Sequence, residues 1–163
     1  MEKKFNTFIK KLIIMEKTKF DKEFQRLTTE MVEVAFEYIG RNSEEVDNVY
    51  IYASMENEMY FYNVFYQINN IVVKKELVNN VLQRKTDDSE DRIDNLLSIG
   101  GHALMDLSDV FIDDKREVPT LLKMIYSPKT GGFDCDILYE EYSKNPDWTN
   151  VSAFENWYKE VKK

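Results

Sequence analysis

The segment 118–148 constrains the fold of this chain more than any other. Two strand-length apolar and aromatic runs, 121–126 and 133–139, flank Lys129, Thr130, Gly131 and Gly132. The two glycines supply the positive φ angles that a tight hairpin turn requires. The segment therefore predicts an antiparallel β-hairpin.

The rest of the chain alternates between helix and strand patterns. A three-four spacing of apolar residues predicts a helix over 17–39, which Gly40 ends. Runs of aromatic and β-branched residues predict a meander of three strands at 46–54, 59–68 and 71–77. Helices follow at 88–112 and 151–161, and Gly100 and Gly101 predict either a kink or a close helix–sheet approach in the longer one. The predicted class is α+β, with about five antiparallel strands flanked by helices in the order α-β-β-β-α-β-β-α.

Charge divides the chain into two parts. The 163 residues carry a formal net charge of −8, yet the first nineteen hold six lysines and two glutamates, so the remainder carries −12. Residues 1–14 are predicted to be a basic amphipathic extension, because Phe5, Phe8, Ile9 and Leu12 form a helical stripe. Residues 15–163 are predicted to be a single domain, for which Met15 is a plausible alternative start. The acidic balance argues against partners that are nucleic acids or anionic membranes, and favours a cationic protein.

The chain contains no recognisable catalytic or phosphate-binding motif. Cys135 lies in the middle of a predicted strand, and the single histidine, His102, falls in a helical pattern. Asp134 and Asp136 alternate onto one strand face, where two carboxylates could share a divalent metal, although an edge strand commonly carries such residues toward solvent. We expect no cofactor.

Short motifs along residues 17–158 resemble the YezG-like antitoxin family of Gram-positive bacteria. They are Val49-Tyr50-Ile51-Tyr52-Ala53, Tyr60-Phe61-Tyr62, Pro119-Thr120, Thr130-Gly131-Gly132-Phe133 and Tyr139-Glu140. The resemblance implies a cytoplasmic immunity protein without enzymatic activity. Such a protein binds and occludes a toxin domain that a type VII-like system secretes, which in known cases is a nuclease.

The clustered acids of the second helix are the predicted toxin-binding residues, together with exposed tyrosines. Four acids at a helix C-terminus oppose the macrodipole, which suggests a use other than helix stability. The candidates are Asp87, Asp88, Glu90, Asp91, Asp94, Asp106, Asp109, Asp113, Asp114, Tyr60, Tyr62 and Tyr66.

Two alternatives remain open at this stage. One is a regulatory or interaction module that binds an unrelated partner, for example through a sheet edge. The other is a small metal-dependent enzyme that uses Asp134 and Asp136.

Overall fold

A computed structural model of the protein describes residues 18–163. The predicted extension over 1–14 and the alternative start at Met15 lie outside the described residues. The predicted class and element order are confirmed. The elements are α1 (Lys19–Tyr38), β1 (Val46–Ser54), β2 (Phe61–Ile68), β3 (Ile71–Lys74), α2 (Glu90–Asp113), β4 (Leu121–Ser127), β5 (Gly132–Leu138) and α3 (Asn150–Lys162).

All five strands join one antiparallel sheet in the order β3-β2-β1-β4-β5. The central strand β1 pairs with its sequence neighbour β2 on one side and with β4 on the other, where Ser54 lies opposite Leu121. The meander and the hairpin therefore form two halves of the sheet that meet at β1. Strands β3 and β5 form its two edges.

Helices cover both faces of the sheet. Helices α1 and α2 pack against each other on one face, above the larger core, which includes Leu27, Val64 and Leu104. Helix α3 covers part of the other face, where Phe154 and Trp157 pack among aromatic residues of β1 and β2. Aromatic rings bury a large apolar area and pack edge-to-face, which stabilises this second core.

Local signals account for the helix ends. Thr18 and Asp21 form a capping box at the start of α1, and Ser89 caps α2 by accepting a hydrogen bond from the Arg92 amide. At the end of α1, Gly40 adopts a φ of +71° and its amide donates to the Glu37 carbonyl, as expected for a left-handed C-terminal cap. The predicted role of Gly40 is confirmed.

Two strand boundaries and the conformation of the hairpin turn need correction. Strand β2 begins at Phe61 and not at residue 59, because Glu56–Glu58 forms a 3₁₀ turn. Strand β3 ends at Lys74 and not at residue 77, because the chain turns into a second 3₁₀ segment, Lys75–Asn80. In the hairpin, only Gly131 has a positive φ, +75°; its amide donates to the Ser127 carbonyl at 2.8 Å, and Gly132 already belongs to β5.

The two glycines of α2 differ in their surroundings. A Cβ on Gly100 would lie 2.2 Å from Cε1 of Tyr62 on β2, whereas a Cβ on Gly101 would meet no atom within 4 Å. Gly100 therefore marks the close helix–sheet approach that was one of the two predicted explanations. Separately, among residues 18–163, no helix combines the length and apolarity that crossing a membrane requires.

Candidate protein-binding surface

Helix α2 turns most of its acidic residues toward solvent. Its buried side is formed by residues such as Leu96, Leu104 and Phe111. Twenty-four residues at about 1.5 Å each separate the two helix ends by roughly 35 Å, so the two predicted acidic groups form separate surfaces. The exposed candidates are Asp87, Glu90, Asp91, Asp94, Asp106, Asp109, Asp113 and Asp114, and Asp88 is partly buried.

The N-terminal group of acids has a local structural role. Carboxylates near a helix N-terminus are stabilised by the positive end of the macrodipole. The Asp87 carboxylate also accepts the Ser89 amide at 3.0 Å, which lowers the pKa of Asp87. Helix initiation is therefore a sufficient explanation for this group.

The C-terminal group has no such explanation, because its acids lie at the negative end of the helix and its last turn contains no basic residue. Asp114 forms an ion pair with Arg116, with Oδ2 and Nε 2.6 Å apart. Two large apolar side chains accompany the acids, since Met105 and Ile112 are 46% and 55% exposed. Apolar contacts beside exposed charges are typical of a surface that binds another protein.

A cavity of about 480 Å³ adjoins this end of α2. Loops at one end of the sheet form it together with Ile112, and we call it the sheet-end cavity. Its lining combines carboxylates with apolar and aromatic side chains. The lining residues include Glu56, Glu58, Ile112, Glu117, Val118, Tyr139, Glu141, Ser143 and Lys144.

The loop between β1 and β2 is held in place by Glu56. This glutamate is 5% exposed, and its carboxylate accepts the Ser143 amide at 3.1 Å and the Ser143 hydroxyl at 2.7 Å. The next two residues, Asn57 and Glu58, have φ angles of +54° and +59°. Left-handed backbone at residues other than glycine is unfavourable and persists only where surrounding contacts impose it. Glu56 therefore joins this loop to the segment after β5.

The prediction of exposed tyrosines is wrong for Tyr62 and Tyr66, which are 5% and 0% exposed. Their hydroxyls donate to the carbonyls of Met31 and Ala35 on α1, each at 2.6 Å. Both tyrosines belong to the core because α1 covers their face of β2. Tyr60 stays partly exposed, and its hydroxyl lies 3.3 Å from the Ser108 hydroxyl near the cavity.

Two exposed aromatic residues were not among the predicted candidates. Phe133 and Tyr139, on β5 and just after it, are each 45% exposed. The sequence places them in an apolar run that is typical of a buried strand, and only the position of β5 at the sheet edge exposes them. The Glu56–Glu58 segment was also not predicted to belong to the binding surface, because it has the composition of an ordinary turn.

Asp134 and Asp136 are exposed on β5, opposite Ile125 and Lys123 of β4. Within residues 18–163, no group of three or more His, Cys, Asp or Glu side chains could hold a metal ion together. Between the two aspartates, Cys135 is half-buried, and burial raises the pKa of its thiol to about 11. The thiolate that nucleophilic chemistry needs is thus scarce at neutral pH.

Comparison of the chain with protein-family models and with curated proteins produced no match.

Proposed function

We propose that this protein is an immunity protein that binds a basic toxin in the cytoplasm and blocks its active site. One observation carries the proposal. Ile112, which lies among the C-terminal acids of α2, lines a cavity whose walls also carry carboxylates, at Glu56, Glu58, Glu117 and Glu141. The sequence resemblance to the YezG-like antitoxins supports the same function.

The proposed mechanism is occlusion without a chemical reaction. A nuclease needs cationic side chains to hold phosphates, so its active site attracts an acidic protein. Complementary charge accelerates association and selects the partner, while buried apolar anchors supply most of the affinity. Ile112 and Tyr139 are the anchors we propose, with Glu58 in the same cavity lining. Asp109 and Asp113, three positions before and one position after Ile112 on α2, supply the further charge.

A more general alternative keeps the surface and changes the partner. The same acidic and apolar groups would suit a cationic regulatory protein that is unrelated to toxins. The exposed apolar residues along β5 favour such a module, because they offer a second surface for a protein contact. The metal-dependent enzyme has no comparable support in the described residues, and calorimetric titration with Mg²⁺, Mn²⁺ and Ca²⁺ would test it.

Co-expression with a toxin encoded beside the gene would test the immunity function. We expect the wild-type protein to restore growth and to co-purify with the toxin. The variant Asp109→Lys/Asp113→Lys should fail to protect. Because lysines at a helix C-terminus favour the helix, we expect this variant to remain folded.

The matched control is Asp147→Lys/Glu160→Lys. It makes the same change in net charge at exposed positions away from α2 and should still protect. Equal protection by both variants would refute the proposed surface. If the neighbouring genes encode no toxin and pull-down finds no tight protein partner, the immunity function itself is refuted.

A further inference from the structure

Strand β5 is an unprotected edge of the sheet. Its only strand neighbour is β4, so its outer side carries backbone amide and carbonyl groups with no strand partner among residues 18–163. The opposite edge is different, because β3 has four residues and turns directly into a 3₁₀ segment. The seven residues of β5 are long enough for another strand to pair with them.

The face of β5 on the side of α1 and α2 is apolar and exposed. Phe133, Cys135 and Ile137 all lie on this face. Phe133 and Ile137 are 45% and 39% exposed. Beside Phe133 lies a groove of about 280 Å³ between α1 and the hairpin, whose walls include Val32, Phe36 and Tyr126. Tyr139 continues the same alternation and lines the sheet-end cavity. One face of the edge therefore connects two concave sites.

The other face of β5 is acidic. Asp134 and Asp136 are exposed there, and the nearest cross-strand cation is Lys123, opposite Asp136. If two copies of β5 paired antiparallel about Cys135, Asp134 of each copy would lie opposite Asp136 of the other. Like charges directly opposite one another destabilise a strand pair, so these residues disfavour self-association. The same two charges favour a strand that carries lysine or arginine.

We propose that β5 binds an extended, cationic segment of a protein partner as a sixth strand of the sheet. Apolar side chains of that segment would pack against Phe133 and Ile137 and enter the groove at Val32. Its alternating basic side chains would lie beside Asp134 and Asp136. Where the partner is the toxin, this inference rests on the proposed function and describes how the toxin attaches.

The probe is a peptide of alternating lysine and valine, as long as the seven residues of β5. Titration into the ¹⁵N-labelled protein should shift the amide resonances of β5 and slow their hydrogen exchange. A peptide of alternating glutamate and valine should bind about tenfold more weakly, because two opposite-charge pairs become like-charge pairs. Equal binding of both peptides, or no response at β5, would overturn the inference.

Charge reversal on β5 provides the matched test. Asp134→Lys/Asp136→Lys changes two exposed side chains, so it should leave the unfolding midpoint nearly unchanged and reverse the peptide preference. The control Asp147→Lys/Glu160→Lys makes the same charge change at exposed positions outside β5 and should preserve the wild-type preference. An unchanged preference in the β5 variant would overturn the inference.

The two proposals can fail separately. Selective peptide binding at β5 without protection from a toxin would uphold the strand-binding edge and refute the immunity function. Protection from a toxin without peptide binding at β5 would uphold the immunity function and refute the strand-binding edge.

Discussion

The aromatic ring of Tyr62 occupies the space that a side chain on Gly100 would need. A Cβ at Gly100 would lie 2.2 Å from Cε1 of that ring. The ring has little freedom to move away, because its hydroxyl donates to the Met31 carbonyl at 2.6 Å. Helix α2 and strand β2 can therefore approach this closely only where the helix has no side chain.

Replacing Gly100 or Gly101 by alanine should change the free energy of unfolding in opposite directions. We expect Gly100→Ala to lower the free energy of unfolding by about 1–3 kcal/mol, as overpacking of a core does. Gly101→Ala should raise it by about 1 kcal/mol, because that site is open and alanine favours the helix. Urea unfolding of both variants measures the difference. Equal effects would mean that Tyr62 moves aside.

Glu45 should make stability depend on pH in the acidic range. Its carboxylate accepts the Gln83 and Arg84 amides at 2.7 and 3.1 Å, and also the side-chain amides of Asn69 and Asn42. These bonds, led by the Gln83 amide, lower the pKa of Glu45 from 4.5 to about 2. The charged form is thus favoured in the folded state, so its stabilisation is full above pH 4.5 and is lost as the pH falls toward 2.

Glu45→Gln measures this contribution. At neutral pH we expect the free energy of unfolding to fall by about 1.5–3 kcal/mol, the range for hydrogen bonds to a charged group. The difference from wild type should shrink as the pH is lowered from 4.5 toward 2. A difference that stays constant over that range would show that the carboxylate charge does not matter.

The buried tyrosines should control stability at alkaline pH. Burial raises the pKa values of Tyr62 and Tyr66 above their ordinary value of 10. Their stabilisation is full below pH 10 and declines above it, because only the unfolded chain can then release the protons. Tyr62→Phe/Tyr66→Phe should cost about 1 kcal/mol for each hydrogen bond at neutral pH.

The measurement is the free energy of unfolding in urea, for wild type and for the double phenylalanine variant, at several pH values between 7 and 11. The difference in free energy of unfolding between wild type and the double phenylalanine variant should become smaller above pH 10. Partner binding by folded protein should not change, because both hydroxyls lie in the core. A widening gap would contradict the assigned burial.

The left-handed backbone at Glu58 predicts a stabilising substitution. Asparagine tolerates this conformation better than other residues that have a Cβ, so Glu58→Asn should raise the free energy of unfolding by about 0.5–1 kcal/mol. Glu58→Ala removes the same charge without this tolerance and should give no such gain. Thermal unfolding of the two variants, side by side, separates backbone strain from charge.

Sequence patterns predicted those parts of the fold that depend on neighbouring residues. The hairpin and the end of α1 at Gly40 each have a local chemical signal, and each is confirmed. The end of β3 at Lys74 was missed because residues 75–77, Lys-Glu-Leu, contain no glycine or proline to signal that the chain turns there.

The surface was less predictable because burial depends on distant elements. An alternating strand pattern puts Tyr62 and Tyr66 on one face of β2, but α1 determines that this face is buried. The sheet-end cavity combines three separate stretches of sequence, around Glu56, Ile112 and Ser143. No spacing within one stretch predicts that they meet.

The position of β1 at the centre of the sheet has a kinetic consequence. Its pairing with β2 closes a short loop, whereas its pairing with β4 joins Ser54 to Leu121 across the whole of α2. Long-range pairing loses more chain entropy before any contact compensates for it, and it slows folding. We therefore expect the meander and the hairpin to assemble early, and the docking of β4 beside β1 to limit the folding rate.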